Sequence, residues 1–74
     1  MLQRRQLRIE AREAFERALQ INPDNATAWL HLGLAFEYLG NPARAIDAYG
    51  KAVALVPART DAREVYEGAK RRYQ

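Results

Sequence analysis

Cysteine and serine are absent from these 74 residues, histidine and tryptophan occur once each, and phenylalanine occurs twice. Without cysteine there is no disulfide and no thiolate metal ligand, and a single histidine does not assemble a structural zinc site. Without serine or cysteine the usual nucleophiles of covalent catalysis are missing, and no glycine-rich loop stands ready to cradle a phosphate. No stretch approaches the roughly 20 apolar residues of a membrane span. Arg4, Arg5 and Arg8 interrupt every candidate apolar run near the N-terminus, so no secretory signal is expected and a cytoplasmic location is the expectation. Nothing in the residues calls for a catalytic centre, a cofactor or a metal.

What is present is helix-forming. Alanine, leucine, glutamate and arginine dominate, and the formal charge of +3 arises from arginines interleaved with acids such as Glu10, Glu13 and Glu16. A chain this short builds a core worth only about 3 to 5 kcal/mol unless its helices pack very regularly or it associates.

Sliding the chain along itself by 34 residues lays Ala11, Ala14, Ala18 and Pro23 on Ala45, Ala48, Ala52 and Pro57. Similar residues also meet: Glu13 on Asp47, Phe15 on Tyr49, Arg17 on Lys51, Leu19 on Val53 and Ile21 on Leu55. One helix is therefore written twice. Between the copies, Trp29, Leu32, Phe36 and Leu39 fall at the three-and-four spacing of an amphipathic helix. Pro23 ends the helix before it, and Asp24 or Asn25 suits its N-cap. Gly40, Asn41 and Pro42 form a turn, with glycine free to adopt positive φ and proline suited to a first helical turn. Pro57 stops the next helix. A last helix opens at Thr60, with Asp61 and Glu64 spaced as a capping box, and carries a polar face of Arg63, Glu67, Lys70 and Arg71.

Trp29, Leu32-Gly33 and Phe36, followed by Ala45, Tyr49 and Pro57, resemble the tetratricopeptide repeat family. That family's repeat reads Trp, two residues, Leu-Gly, two residues, Tyr, then Ala, three residues, Phe and a closing Pro. Both aromatic departures are Phe/Tyr exchanges. The resemblance implies an all-α fold of antiparallel helix-turn-helix units stacked as a right-handed superhelix, with about four helices over 2–21, 26–39, 42–56 and 60–73. It divides the single domain, 1–74, into a second-helix half repeat (1–25), a full repeat (26–59) and a capping helix (60–74). Arg63, where an aromatic would stand, marks the last segment as a solvating end.

The expected core comprises Phe15, Trp29, Leu32, Gly33, Phe36, Ala45, Tyr49, Ala52 and Pro57. Small residues at 33, 45 and 52 let helices approach, and Trp29, Phe36 and Tyr49 fill the enclosed volume. On that reading Trp29→Ala costs about 3 to 5 kcal/mol.

In the family, first helices line a concave groove that holds a partner's peptide or helix. Carried over, the groove residues here are Thr27, Leu30, His31, Leu34, Glu37 and Tyr38. Leu30, Leu34 and Tyr38 then make an apolar strip, either a docking surface or a face covered by a neighbour or by the last helix. One subgroup grips a C-terminal carboxylate with lysines and asparagines, but Leu30, His31 and Leu34 stand at those places, so no such clamp is expected. A lone histidine such as His31 is far more often a solvated side chain than a ligand or base.

Two further partner classes are weighed. Arg4, Arg8 and Arg12 share one helical row, and Lys70, Arg71 and Arg72 cluster at the other end, but no aromatic residues interleave with the row. Nucleic acid therefore ranks well behind protein. The opening half repeat has Arg12 and Glu16 where the second copy has Ile46 and Gly50, as suits an uncovered side. Leu2, Leu7, Ile9 and Leu19 nonetheless remain along it, which implies either a longer array or self-association of two copies.

Overall fold

The computed structural model describes residues 2–73, with side chains described from position 5. Helices α1 (Leu2–Ile21), α2 (Ala26–Tyr38), α3 (Pro42–Leu55) and α4 (Thr60–Arg72) follow one another, with no strand among the described residues. The last three end one residue earlier than the sequence spacing suggests. Leu39, Val56 and Tyr73 leave helical geometry, with ψ at 1°, 81° and 22°.

The turns explain these boundaries. Pro23 and Pro57 donate no N–H and disfavour helical geometry in the residue before them. The two turns are the same structure 34 residues apart. Asn22 N–H reaches Ala18 O at 2.9 Å and Asn25 N–H reaches Asn22 O at 3.2 Å, while Val56 N–H reaches Ala52 O at 3.1 Å and Arg59 N–H reaches Val56 O at 3.0 Å. Asn25 caps α2 by accepting from Ala28 N–H at 3.1 Å, and Asn41 caps α3 by accepting from Arg44 N–H at 3.3 Å. Between α2 and α3, Gly40 takes φ 81°. Asn41 N–H then bonds Phe36 O at 2.8 Å and Gly40 N–H bonds Glu37 O at 3.1 Å, the crossed pair of a Schellman close.

The capping box expected at Asp61 and Glu64 does not form. α4 starts two residues too early for it, with Arg59 as an N-cap that makes no side-chain bond. Asp61 lies inside the first turn, where its carboxylate accepts from Arg59 Nε at 2.8 Å.

Short turns force neighbours to pack antiparallel, and α2 makes its most extensive contact with α3, next with α1. The result is a slab of 37 × 31 × 16 Å. Ala45, Tyr49, Ala52, Ala62 and Ala69 are sealed at its centre, with Leu19, Ala28, Leu30, Leu32 and Phe36 around them. Tyr49 is the one large side chain with no exposed surface among the described residues.

Three core assignments need correcting. Trp29 is half-buried at the rim, because its indole N–H takes the turn carbonyl of Pro23 at 2.8 Å and full burial would forfeit that partner. Pro57 is exposed and acts only through the turn, and Phe15 is half-buried.

Candidate functional site

The groove residues inferred for α2 do not share one environment. Leu30 is 6% exposed and belongs to the buried cluster, so it is not on a wet face. Its flanks explain this. Thr27 Oγ1 accepts from Arg59 Nη1 at 2.7 Å, and Glu37 accepts from Arg72 Nη2 at 2.8 Å and from the Tyr73 hydroxyl at 3.0 Å. Those bonds tie the two ends of α4 to α2 on either side of the leucine. Of the two readings of the apolar strip, closure within the fold rather than an open docking face holds at position 30.

Glu37 is the anchor of that closure. It also accepts from the Tyr49 hydroxyl, which arrives from the core side. Burial alone would raise the Glu37 carboxyl, but hydrogen bonds from Tyr49, Arg72 and Tyr73, together with the Arg72 charge, hold it below its ordinary value of 4.5. The Tyr49 hydroxyl is pushed well above its usual range, by burial first and then by the adjoining carboxylate. A buried phenol and a surface arginine are thus linked through one acid.

On its other side α2 is open. His31, Leu34, Ala35 and Tyr38 face Leu7, Arg8, Ala11 and Phe15 of α1 across a cleft of about 370 Å³. Leu7 is 62% exposed and Tyr38 61% exposed at its mouth, and the polar side-chain groups along its walls are those of Arg8, His31 and the Tyr38 hydroxyl. Arg8 lays its guanidinium 4.9 Å from the centre of the Tyr38 ring, and Phe15 packs against His31 with ring centroids 5.3 Å apart. His31 thus finds an aromatic neighbour sixteen positions away in sequence. A second cleft of about 630 Å³ lies across α2 between α1 and α3, but Glu16, Arg44, Asp47 and Lys51 line much of it. Among the described residues no cluster of acids and histidine is placed to hold a metal ion.

The structure therefore keeps His31, Leu34 and Tyr38 together, separates Leu30 into the core, and ties Thr27 and Glu37 to the C-terminal part of the chain. It adds Leu7, Arg8, Ala11 and Phe15 to the open side. The offset by 34 residues carries the clue to that addition, since Ala11 and Phe15 are the counterparts of Ala45 and Tyr49. Of the residues considered for self-association, Leu19 is buried at 8% exposure and cannot contribute, Ile9 is half-buried, and the Leu2 side chain lies outside the described ones. The arginine row is partly engaged within the fold: besides Arg8 on Tyr38, Arg12 Nε lies 3.8 Å from Glu16.

No helix among the described residues is long and apolar enough to cross a membrane. A family model described as a tetratricopeptide repeat matches residues 4–60, from α1 to the first residue of α4. No curated protein matches the chain.

Proposed function

The chain belongs to the tetratricopeptide repeat family, and from that premise we propose that it is a protein-binding module whose cleft between α1 and α2 receives an apolar segment of a partner. Tetratricopeptide repeats generally mediate protein–protein interaction and are typically non-catalytic scaffolds. The observation that carries the reading is the wall of Leu7, Ala11, Phe15, Leu34 and Tyr38, held open beside a single cation. Scattered exposed leucines are ordinary on protein surfaces, whereas apolar side chains gathered on both walls of one concave site favour docking. Arg8 at the mouth favours an acidic neighbour on the partner and sets orientation more than affinity.

The test compares affinity capture by the parent chain and by a Leu7→Asp/Tyr38→Asp variant. Both positions are exposed, so far-UV circular dichroism and thermal stability should not change. Partners held by the parent and lost by the variant support the reading, and the same partners held by both overturn it.

A second reading is favoured by the same exposed pair: two copies cover Leu7 and Tyr38 with each other. Light scattering that gives the mass of one chain at high micromolar concentration excludes it.

A further inference from the structure

The internal repeat supplies a template for what fits the cleft. We infer that its occupant is an α-helix seated as α2 is seated on α3, with a glycine or alanine against Phe15 and an acid one turn further on, near Arg8. This rests on the cleft being a binding site and specifies the partner that it takes.

Adding 34 to four of the lining residues lands on buried positions of the second copy and on a group that holds α2. Ala11 and Phe15 become Ala45 and Tyr49, both fully buried beneath α2, and Ala35 becomes Ala69, equally sealed. Tyr38 becomes Arg72, which bonds Glu37 of α2. The cleft thus stands to α1 and α2 as the position of α2 stands to α3 and α4. In the covered copy every member of the Ala–aromatic–Ala face is 0% exposed, whereas Ala11, Phe15 and Ala18 are each half-buried.

Two features of α2 translate into requirements on the occupant. Gly33 lies against the Tyr49 ring, where a methyl group would stand 2.5 Å from Cδ1, so only a small residue passes over an aromatic at that position. Glu37, four residues later, meets a cation from α4. In the open copy Tyr38 takes the place of Arg72, and the cation comes from α1 instead, as Arg8 stacked 4.9 Å from that ring. The charge is retained at the same corner. Phe15 has no hydroxyl to donate, so the acid answers to Arg8 alone.

Within the chain, α2 itself carries the required spacing over an aromatic ring, Gly33 followed by Glu37. A synthetic, labelled peptide copying residues 25–41 is therefore the probe, titrated into the full chain by fluorescence anisotropy. Saturable binding is expected. A leucine in place of the peptide's glycine should weaken it about tenfold or more, because the helix can no longer approach the ring. Phe15→Ala in the protein should restore binding of the leucine peptide by removing the obstruction. Arg8→Glu should weaken the parent peptide and spare one in which the acid is replaced by lysine. Equal binding of glycine and leucine peptides would overturn the repeat-like seating, and if Leu34→Asp still abolished both, the cleft would remain a docking site of another kind. No peptide binding by a chain that still captures partners through the cleft would also overturn it. So would a two-chain mass that Phe15→Ala reduces to one, since a second copy would then be the occupant.

Discussion

The ring of Tyr49 lies directly on the backbone of Gly33, with an added methyl group at position 33 falling 2.5 Å from Cδ1 and 3.0 Å from Cζ. α2 and α3 approach because one of them offers no side chain there. The contact couples a residue of the repeat signature to the one large side chain that is wholly enclosed among the described residues.

Gly33→Ala should therefore destabilise, although alanine is the better helix former. The overpacking cost is about 1 to 3 kcal/mol, against a propensity gain of about 1 kcal/mol. Gly68→Ala is the control. Its methyl would meet only the flexible tip of Arg72 at 3.4 Å, so it should stabilise by up to about 1 kcal/mol. Opposite shifts of the thermal midpoint check the pair, and a shared sign would refute the packing account.

Tyr49→Phe keeps the ring and removes the donor to Glu37. A loss of about 1 kcal/mol is expected, in the range of a hydrogen bond to a charged group reduced by the partners that Glu37 retains. Denaturant midpoints at constant slope would measure it. Tyr49→Ala empties the centre of the core and should cost about 3 to 5 kcal/mol, leaving little cooperative folding.

Acid sensitivity should trace to the same carboxylate. The folded Glu37 pKa lies below its ordinary 4.5, so the unfolded chain takes up the proton first as pH falls. The stabilisation is complete above that ordinary value and disappears as pH drops through the lowered folded one. Glu37→Gln should flatten the acid limb of a stability–pH curve while lowering the neutral plateau. Part of the limb should survive, because Arg59 also holds the Asp61 carboxyl below its usual value. An unchanged limb in the variant would exclude Glu37 as its source.

Trp29→Ala separates the sequence expectation from the structure. As a core residue it would cost about 3 to 5 kcal/mol, whereas at the rim, half-buried and bonded to Pro23 O, about 2 to 3 kcal/mol is expected. A cooperative melt retained in Trp29→Ala but lost in Tyr49→Ala would place the centre of the core on the tyrosine.

Caps supply the last contrast. Asn25→Ala and Asn41→Ala each remove an acceptor from a helix start and should cost about 1 kcal/mol. Asp61→Ala removes an exposed, solvent-screened ion pair and no cap, so its midpoint should shift far less than either asparagine variant's. Equal losses at all three would mean that Asp61 caps α4 after all.

The four helices and their ends were legible because their causes are local. Pro23, Gly40, Pro42 and Pro57 act on bonds within a residue or two of themselves, and Asn25 and Asn41 on amides three residues ahead. The period of 34 was legible for the same reason: identical faces need identical spacings. Within the candidate site, the helical spacing of His31, Leu34 and Tyr38 put them on one side of α2, where they line a cleft with α1, and Leu7 was recognised as too apolar for a free end. Glu37 as an anchor was missed, although Tyr49 in place of Phe15 was the available signal, a second-copy hydroxyl in need of a partner.

The chain by itself determined its helices, its turns and the repetition of one packing face, since these follow from rotation angles and hydrogen bonds over a few residues. Only the tertiary arrangement decided which ring lies on Gly33, why Leu30 is covered while Leu34 still reaches the cleft, and which acid receives Tyr49, Arg72 and Tyr73. Those outcomes depend on the angle at which one helix meets another. Glu37 is 12, 35 and 36 positions from its three partners, and no rule of local spacing reaches that far.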